Sequence, residues 1–336
     1  MGDDQRNLDQ KLEALHIVVA DPKMRDLYEK ASELSRHNAT VLLVGESGTG
    51  KDCLAKFIHY TGNRKDKPFL HVNCSAIPDE LFESELFGYA SGTFTGAQYA
   101  GKKGILESAA GGTVFLDEIG EMQLANQVKL LQFLQTKSII RLGGQAPIAL
   151  DVRIVSATNR DLKKMVAEGT FREDLYYRIQ VVTLEIPPLR ERWPDVLALM
   201  DFFGDTLEQQ FGPRKEFTPE ALVRLKKSDW SGNVREIQNF MERLYVLDEG
   251  KTIDDQRLAE LLNYNSSPKR VISSQEVAVI PGHRTLKEAM AAFERQYIQE
   301  ALDATSTLED AARLLGIHLA TLNRKKQKYQ LYKRKS

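Results

Sequence analysis

Short apolar runs alternate with longer stretches of helical period along the first half of the chain. The runs read TVLLV at residues 40–44, FLHVN at 69–73, TVFLD at 113–117 and VRIVSAT at 152–158. Short apolar strands that alternate with helices are typical of a parallel sheet covered by helices on both faces. The pattern therefore predicts an α/β domain in this part of the chain.

The remaining periodicity is helical. Leu8, Leu12 and Leu15 have the spacing of one face of a short N-terminal helix. Helical patterns also dominate the stretch before NSSPKRVISSQEVAVIPGH, which is polar and aperiodic, and the stretch after it. We predict five segments: a short helical segment at 1–15, the α/β core at 16–187, a helical lid at 188–263, a linker at 264–283 and an all-α domain at 284–336.

Composition is that of an ordinary globular protein and excludes a tail or a fibre. Of the 336 residues, 42% are hydrophobic and 28% are charged. No apolar run reaches the length of a membrane span, and the polar start MGDDQRNLDQ differs from a signal peptide, so we expect a cytoplasmic protein without membrane association. Cys53 and Cys74 lack the spacing of a metal site, and we expect both to be free, buried thiols.

Charge is distributed unevenly along the chain. The formal net charge is −1, which argues against a protein that is basic throughout. The C-terminal stretch nevertheless has no acid among its basic residues, which are Arg324, Lys325, Lys326, Lys328, Lys333, Arg334 and Lys335. This clustering localises any polyanion binding to the C-terminus. A solvated charge run is the alternative interpretation.

A glycine-rich loop follows the first predicted strand. GESGTGKD lies between TVLLV and the helical CLAKFIHY, the context that a phosphate-binding loop requires. The glycines let backbone N–H groups converge on phosphate oxygens, and Lys51 reaches the β and γ phosphates. Asp52 replaces the usual hydroxyl residue after the lysine, so Mg²⁺ must be held elsewhere. The pattern predicts ATP binding by Gly45, Glu46, Ser47, Gly48, Thr49, Gly50, Lys51 and Asp52.

Two carboxylates end the third predicted strand. Phosphoryl transfer needs a Mg²⁺ ligand and a group that orients the attacking water. We assign Asp117 to the metal and Glu118 to the water as general base. Asn159 ends a further strand and is placed to contact the γ-phosphate or the water. Solvent-facing acids and a turn-forming asparagine are the alternatives.

Three arginines are candidates for stabilising charge on the transferring phosphate. Arg172 and Arg178 in GTFREDLYYR lie beyond the sheet, poorly placed for the phosphates of their own chain. Such arginines can act in trans, which would place ATP at the subunit interfaces of a ring. Surface salt bridges are the alternative for this pair. Arg235, in WSGNVREIQNF, could close over the nucleotide of its own chain.

The order of the motifs resembles a known family. GESGTGKD, NCSAIPDELFESELFG, GTFTGA, GGTVFLDEIGEM, RLGG, VSATNRDL, FREDLYYRI, PPLRER and WSGNVREI stand as in the AAA+ domain of sigma-54-dependent transcriptional activators, the bacterial enhancer-binding proteins. The resemblance runs from about residue 16 to residue 260. It implies an AAA+ P-loop parallel sheet with a helical lid, in an ATPase that forms homo-oligomers from dimer to hexamer ring. It also implies remodelling of RNA polymerase that carries the sigma-54 factor.

The resemblance assigns roles to single residues as well. It implies a first sensor at Asn159, arginine fingers at Arg172 and Arg178, and a second sensor at Arg235. It further implies that Asn73 switches Glu118 between idle and active positions.

GTFTGA, residues 92–97, places one large ring, Phe94, among small residues. Two glycines in six residues disfavour a strand, and a hairpin tip whose ring folds onto the core is one interpretation. The resemblance implies instead a loop over the pore of the ring, in which exposed Phe94 and Thr95 contact sigma-54. Thr93 stands where the family has alanine, and GYASG replaces its acidic, His-bearing lead-in. These departures bear on the contact and not on catalysis.

LEDAARLLGIHLATLNRKKQKYQL predicts two helices joined at Gly316, which is the spacing of a helix-turn-helix. We expect one inner face, formed by Leu308, Ala311, Ala312, Leu315, Ile317 and Leu322.

The segment resembles the Fis-type domain of the activator family. The resemblance makes Thr321, Asn323 and Arg324 candidate contacts to double-stranded DNA. Leu319 and Ala320 depart from the usual basic or polar residues, and a helical dimerisation hairpin is the alternative.

The sequence thus predicts an ATP-hydrolysing activator that binds upstream DNA and remodels sigma-54 holoenzyme through residues 92–97. The main alternative is a DNA-binding AAA+ regulator that no longer activates sigma-54 promoters, and an AAA+ remodeller of another protein is more distant. Thr93 and the altered recognition helix favour the alternatives, whereas the intact catalytic set disfavours the first of them.

Overall fold

The chain divides into two compact units, Met1–Tyr264 and Asn265–Ser336. The computed structural model describes residues 2–92, 101–248, 250–263, 294–295, 297–299, 301–303, 305, 307–329 and 331. Within these ranges no helix is both long and apolar enough to cross a membrane.

A five-stranded parallel sheet forms the centre of the first unit, with the strand order β2-β3-β4-β1-β5. Its strands are β1 (Val41–Val44), β2 (Phe69–Asn73), β3 (Thr113–Asp117), β4 (Arg153–Thr158) and β5 (Val182–Glu185). The first four coincide with the predicted apolar runs to within a residue. The sequence analysis missed β5, in which polar Thr183 and Glu185 alternate with Val182 and Leu184, so that it contains no continuous apolar run.

Helices cover both faces of this sheet, because successive strand residues point to opposite sides. Val41 and Leu43 of β1 face one core and Leu42 faces the other. The first core is closed by α1 (Gly2–Ala14), α2 (Pro22–Ser35) and α3 (Lys51–Tyr60). The second is closed by α4 (Asp79–Phe87), α5 (Ile105–Ser108), α6 (Leu124–Thr136), α7 (Leu162–Ala167) and α8 (Glu173–Ile179). The predicted α/β architecture is confirmed.

The N-terminal helix α1 is part of this unit. Leu8 and Leu12 are buried in the same core as α2 and α3, and Lys11 Nζ donates to Ser32 Oγ at 2.9 Å. Leu15 is partly buried against the same core. The predicted leucine face therefore packs on the helices that cover the sheet.

The lid is a bundle of four helices, α9 (Trp193–Phe211), α10 (Pro219–Lys227), α11 (Asn233–Leu247) and α12 (Asp255–Asn263). Its core is separate from those of the sheet and is built on Trp230, Ile237, Phe240, Met241 and Leu244. Helices α9 and α10 carry proline in the first turn, where no N–H partner is lost. The predicted helical lid is confirmed, and its limits stay predictions.

The second unit contains α13 (Leu308–Leu314) and α14 (Leu319–Tyr329). Gly316 lies between them at φ +64°, in the left-handed region that favours glycine. Ala311 and Leu322 are completely buried. The predicted burial of Leu308 is wrong, since this side chain is 36% exposed. Leu308 is the first residue of α13, and the buried residues Ala311 and Ala312 follow one turn later.

The two cysteines differ in environment. Cys74 is buried, as predicted, but Cys53 is exposed, so its predicted burial is wrong. Cys53 lies in the first turn of α3, and the residues of α3 that are buried in the core include Leu54, Phe57 and Ile58. Both thiols are free.

Candidate functional site

The phosphate loop connects β1 to α3 at the carboxyl edge of the sheet. Gly48 and Gly50 adopt φ +76° and +100°, which L side chains rarely adopt. A Cβ at Gly48 would also lie 2.4 Å from the Gly232 carbonyl oxygen of the lid. Thr49 Oγ1 donates to the Glu46 carbonyl at 2.8 Å and closes the loop on itself. These constraints explain why the loop needs glycine at its turns.

Lys51 begins α3 and its ammonium group points back into the loop. Its Nζ donates to the carbonyls of Gly45 and Glu46, each at 2.8 Å. Burial lowers the pKa of Lys51, opposed by the charge of Asp117. The N-terminus of α3 adds the positive end of its dipole. The loop therefore offers a cation beside a helix N-terminus, which suits the phosphates of ATP.

Asp117 and Glu118 lie beside Asn73 because β2 and β3 pair in parallel with Asn73 opposite Asp117. Burial alone would raise the pKa of Asp117, but hydrogen bonds from His71 and from the Glu118 N–H, with the charge of Lys51, hold it below its ordinary value. An ionised carboxylate at this point suits Mg²⁺. Glu118 has a left-handed backbone at φ +54°, unusual for a side chain of this size.

Ser75 connects two residues that the sequence analysis had paired. Asn73 Oδ1 accepts a hydrogen bond from the N–H of Ser75 at 2.9 Å, and the hydroxyl oxygen of Ser75 lies 2.8 Å from the same Oδ1. Ser75 Oγ also donates to Glu118 Oε2. No sequence signal identified Ser75, because an exposed serine after a strand is an ordinary turn residue.

Asn159 lies directly after β4, exposed and at the same edge as the phosphate loop. It lines a cavity of about 480 Å³ together with Gly45 and Glu46. It also lines a cleft of about 450 Å³ with Glu46, Ser47 and Arg190, between the loop and the lid. The structure thus places Asn159 beside the loop, and its contact with the γ-phosphate or the attacking water stays a prediction.

Asn233 attaches the lid to the phosphate loop and was missed by the sequence analysis. Its Nδ2 donates to the Ser47 carbonyl at 3.0 Å and to Glu46 Oε2 at 3.2 Å, while its Oδ1 accepts from Leu189 N at 2.7 Å. The next residue, Val234, donates its N–H to the Gly48 carbonyl at 3.0 Å. Asn233 adopts φ +54°, and an asparagine just before a helical pattern is a usable signal for such a position.

Three lid arginines approach the same loop. Arg235 Nη1 donates to Ser47 Oγ at 3.2 Å, so this predicted residue lies at the site. Arg190 makes a two-point ion pair with Glu46, at 2.7 and 3.0 Å, and lowers the pKa of that carboxyl. Arg192 is buried and donates to the Thr49 carbonyl at 2.8 Å. Lid position and loop conformation are therefore coupled through direct contacts.

Asp52 and the two candidate finger arginines have other neighbours. Asp52 is half-exposed and lies 3.7 Å from Lys56. Arg172 makes a two-point pair with Asp174, at 2.7 and 3.0 Å, and Arg178 Nη2 donates to the Leu134 carbonyl at 3.1 Å. Among the contacts described, neither arginine reaches the phosphate loop, and both are exposed.

The residues predicted to contact sigma-54 and DNA lie in the segment 92–97 and in α14, respectively. Phe94 and Thr95 lie outside the described residues. The chain on either side is held together by antiparallel pairing of Gly88–Tyr89 with Lys102–Lys103. In α14, Asn323 and Arg324 are exposed and Thr321 is half-buried.

Comparison with known proteins gives three matches in chain order. The sigma-54 interaction domain matches residues 17–185, the AAA+ ATPase lid domain residues 190–275, and the Fis family of bacterial regulatory proteins residues 289–329.

Individual relatives agree with these matches. The chain is 41% identical over 321 residues to the regulatory protein AtoC of Escherichia coli (strain K12), covering 94% of this chain and 68% of AtoC. It is 42% identical over 314 residues to UacR of the same strain, provisionally named a uric acid sigma-54-dependent transcriptional regulator, covering 92% of this chain and 52% of UacR. The chain therefore spans about half the length of UacR.

A solved structure extends the likeness to three dimensions. NtrX from Brucella abortus in complex with ATP superposes with a TM-score of 0.67 at 30% identity, covering 98% of this chain and 73% of NtrX. With the matched domains in this order and the loop, carboxylates and lid assembled at one edge of the sheet, the chain belongs to the family of sigma-54-dependent transcriptional activators.

Proposed function

We propose that the chain is a cytoplasmic ATPase that binds duplex DNA through its C-terminal helices and remodels RNA polymerase carrying sigma-54. The observation that carries the proposal is the convergence of Lys51, Asp117, Asn159 and Arg235 on one loop at the carboxyl edge of the sheet. The structure of NtrX in complex with ATP, which has a similar fold, supports nucleotide binding by this chain.

In this proposal the phosphates of ATP lie on the loop, with residues 45–52 supplying N–H groups and Lys51 its ammonium. Asp117 would hold Mg²⁺, which when bound would neutralise negative charge on ATP. Glu118 accepts a proton from the attacking water as general base. Asn159 contacts the γ-phosphate or that water, and Arg235 closes from the lid. Because Asp52 is half-exposed and lies 3.7 Å from Lys56, we assign the metal role to Asp117.

Arg172 and Arg178 act across the interface of a homo-oligomer, from dimer to hexamer ring, in the same proposal. Both side chains are exposed, and neither contacts the phosphate loop of its own chain among the contacts described. These observations support action on the nucleotide of a neighbouring subunit. An arginine of this kind contributes about 10³ to 10⁵ in rate.

The catalytic part is tested with two substitutions. Lys51→Ala should lose ATP binding, whereas Glu118→Gln should bind ATP and fail to hydrolyse it. Glu121→Gln is the matched control, because Glu121 follows the same strand but pairs with Arg160 at 2.7 Å. Fluorescent-nucleotide titration measures binding and phosphate release measures turnover. Equal loss of binding in the Lys51 and Glu118 variants would refute the role of Glu118.

The sigma-54 contact is tested by trapping the protein with ADP and a metal fluoride, which mimics the transition state of hydrolysis. Trapped protein should bind sigma-54, Thr95→Ala should lose that binding with ATPase intact, and Thr93→Ala should bind equally well or better. A trapped native chain that fails to bind while Thr93→Ala binds favours the second candidate, a DNA-binding AAA+ regulator without sigma-54 activation. Thr93 is the sequence departure that keeps this candidate open.

DNA binding is assigned to Thr321, Asn323 and Arg324 of α14 and the adjoining basic tail. A chain that ends at Gly282 should keep ATPase activity and lose duplex binding. For the full chain, log K should fall with log salt by about 0.9 per phosphate contacted. A dimer that reads a palindrome needs half-sites about one helical turn, or a multiple, apart. Specific binding by the truncated chain would contradict the assignment.

A further inference from the structure

We propose that the hydroxyl of Ser75 holds Glu118 in an idle position, which makes Ser75 a positioning residue for ATP hydrolysis. The inference rests on the proposed function, in which Glu118 activates the attacking water. It concerns a residue that makes no contact with the phosphate loop among the contacts described.

The geometry places one hydroxyl between two acceptors. Ser75 Oγ lies 2.8 Å from Asn73 Oδ1 and also within hydrogen-bond distance of Glu118 Oε2. The Asn73 oxygen is identified by the backbone N–H of Ser75, which donates to it at 2.9 Å. Asn73 and Glu118 therefore meet at Ser75.

The single hydrogen of the Ser75 hydroxyl decides how Ser75, Asn73 and Glu118 are hydrogen-bonded. A serine hydroxyl carries one hydrogen and can donate it to one acceptor at a time. An ionised carboxylate is a stronger acceptor than an amide oxygen, so the hydrogen goes to Glu118. Asn73 keeps the backbone N–H of Ser75 and orients the serine. The action of Asn73 on Glu118 is consequently indirect and depends on the Ser75 hydroxyl.

The backbone of Glu118 is held in place, so only its side chain can reorient. Its N–H donates to Asp117 Oδ1 at 2.9 Å, and its left-handed φ of +54° is set by the turn that follows β3. Reorientation of the carboxylate therefore proceeds by side-chain rotation, which must break the bond from Ser75. While that bond is made, Oε2 accepts the Ser75 hydroxyl and is not free to accept a hydrogen bond from the attacking water. Release of Glu118 then raises the rate of the chemical step and not the affinity for ATP.

Ser75→Ala in the full-length chain tests this directly, since Ser75 is exposed and its substitution leaves the cores unchanged. We expect kcat for ATP hydrolysis to rise about three- to tenfold, where tenfold corresponds to about 1.4 kcal/mol of barrier. The KM for ATP should stay within a factor of two. Ser75→Thr keeps a hydroxyl and should restore the native kcat. Ser108→Ala, which removes an exposed hydroxyl bonded to the Gly104 carbonyl at 2.9 Å, should change neither parameter.

A double-mutant cycle tests the order of action. If Asn73 acts through Ser75, Asn73→Ala combined with Ser75→Ala should give the kcat of Ser75→Ala alone. An unchanged or lower kcat in Ser75→Ala, or a Ser75→Thr that behaves like Ser75→Ala, overturns the inference while ATPase activity stands. A native chain that binds ATP without hydrolysing it refutes the proposed function and, with it, this inference.

Discussion

Removal of one partner of the buried ion pair between Arg192 and Asp195 should strongly destabilise the lid. The two side chains are 4% and 1% exposed, and Nη1 lies 3.3 Å from Oδ2. Asp195 Oδ1 also accepts the N–H groups of Ala20 and Asp21, at 2.6 and 2.7 Å. Arg192 Nη2 donates to the Thr49 carbonyl of the phosphate loop at 2.8 Å. One pair thus joins the lid, the loop and the segment before α2.

Replacement of Arg192 by methionine keeps an unbranched apolar stem and removes the guanidinium with its charge. Removal of one partner of a buried pair destabilises by about 3–5 kcal/mol, because the other charge stays buried without compensation. The two backbone donors still support the Asp195 carboxylate, so we expect a loss near the lower end, about 3 kcal/mol. Arg192→Met combined with Asp195→Asn should recover part of this loss, because the amide oxygen still accepts a hydrogen bond without a charge.

An exposed pair provides the matched control. Arg224 and Asp255 also lie in the lid, 2.6 Å apart, with side chains 44% and 42% exposed. Exposed pairs contribute about 0–1 kcal/mol because solvent screens them. Arg224→Met should therefore change stability by no more than that.

The assay is equilibrium unfolding in urea followed by tryptophan fluorescence. The chain has two tryptophans, and both Trp193 and Trp230 belong to the lid, so the signal reports this subdomain. With a slope of about 2–3 kcal/mol per molar urea, a loss of about 3 kcal/mol lowers the midpoint by about 1–1.5 M. A midpoint for Arg192→Met equal to that of Arg224→Met, at unchanged slope, would refute the reasoning.

Three further predictions concern the site. Hydrogen bonds from Arg190 and Asn233 hold the pKa of Glu46 below its ordinary value of 4.5. The ionised Glu46 therefore stabilises the folded chain fully above pH 4.5, and this contribution is lost as pH falls through the lowered pKa. Unfolding midpoints of the native chain and of Arg190→Gln should therefore converge at acid pH. Gly48→Ala should weaken ATP binding at least tenfold by fluorescent-nucleotide titration, because its Cβ would lie 2.4 Å from a lid carbonyl oxygen. Inactive Arg178→Ala and Lys51→Ala chains should regain ATPase activity when mixed, and no recovery would contradict action in trans.

Much of the fold could be predicted from the sequence because its signals are local. Apolar runs of strand length predicted β1 to β4, since a buried parallel strand must be apolar on both faces. The glycines of the phosphate loop allowed this loop to be predicted, because their left-handed φ values exclude most side chains. Strand β5 was missed because polar Thr183 and Glu185 interrupt its apolar residues.

The sequence by itself thus determined which segments form strands, loop and lid, and which residue types stand at the strand ends. Only the tertiary structure decided which of them meet. Parallel register places Asn73 opposite Asp117, and packing of the lid brings Asn233 to Ser47 from 186 positions away. Periodicity encodes which face of an element is buried but not its partner. The bridge from Asn73 through Ser75 to Glu118 therefore emerges only when two neighbouring strands end at the same edge.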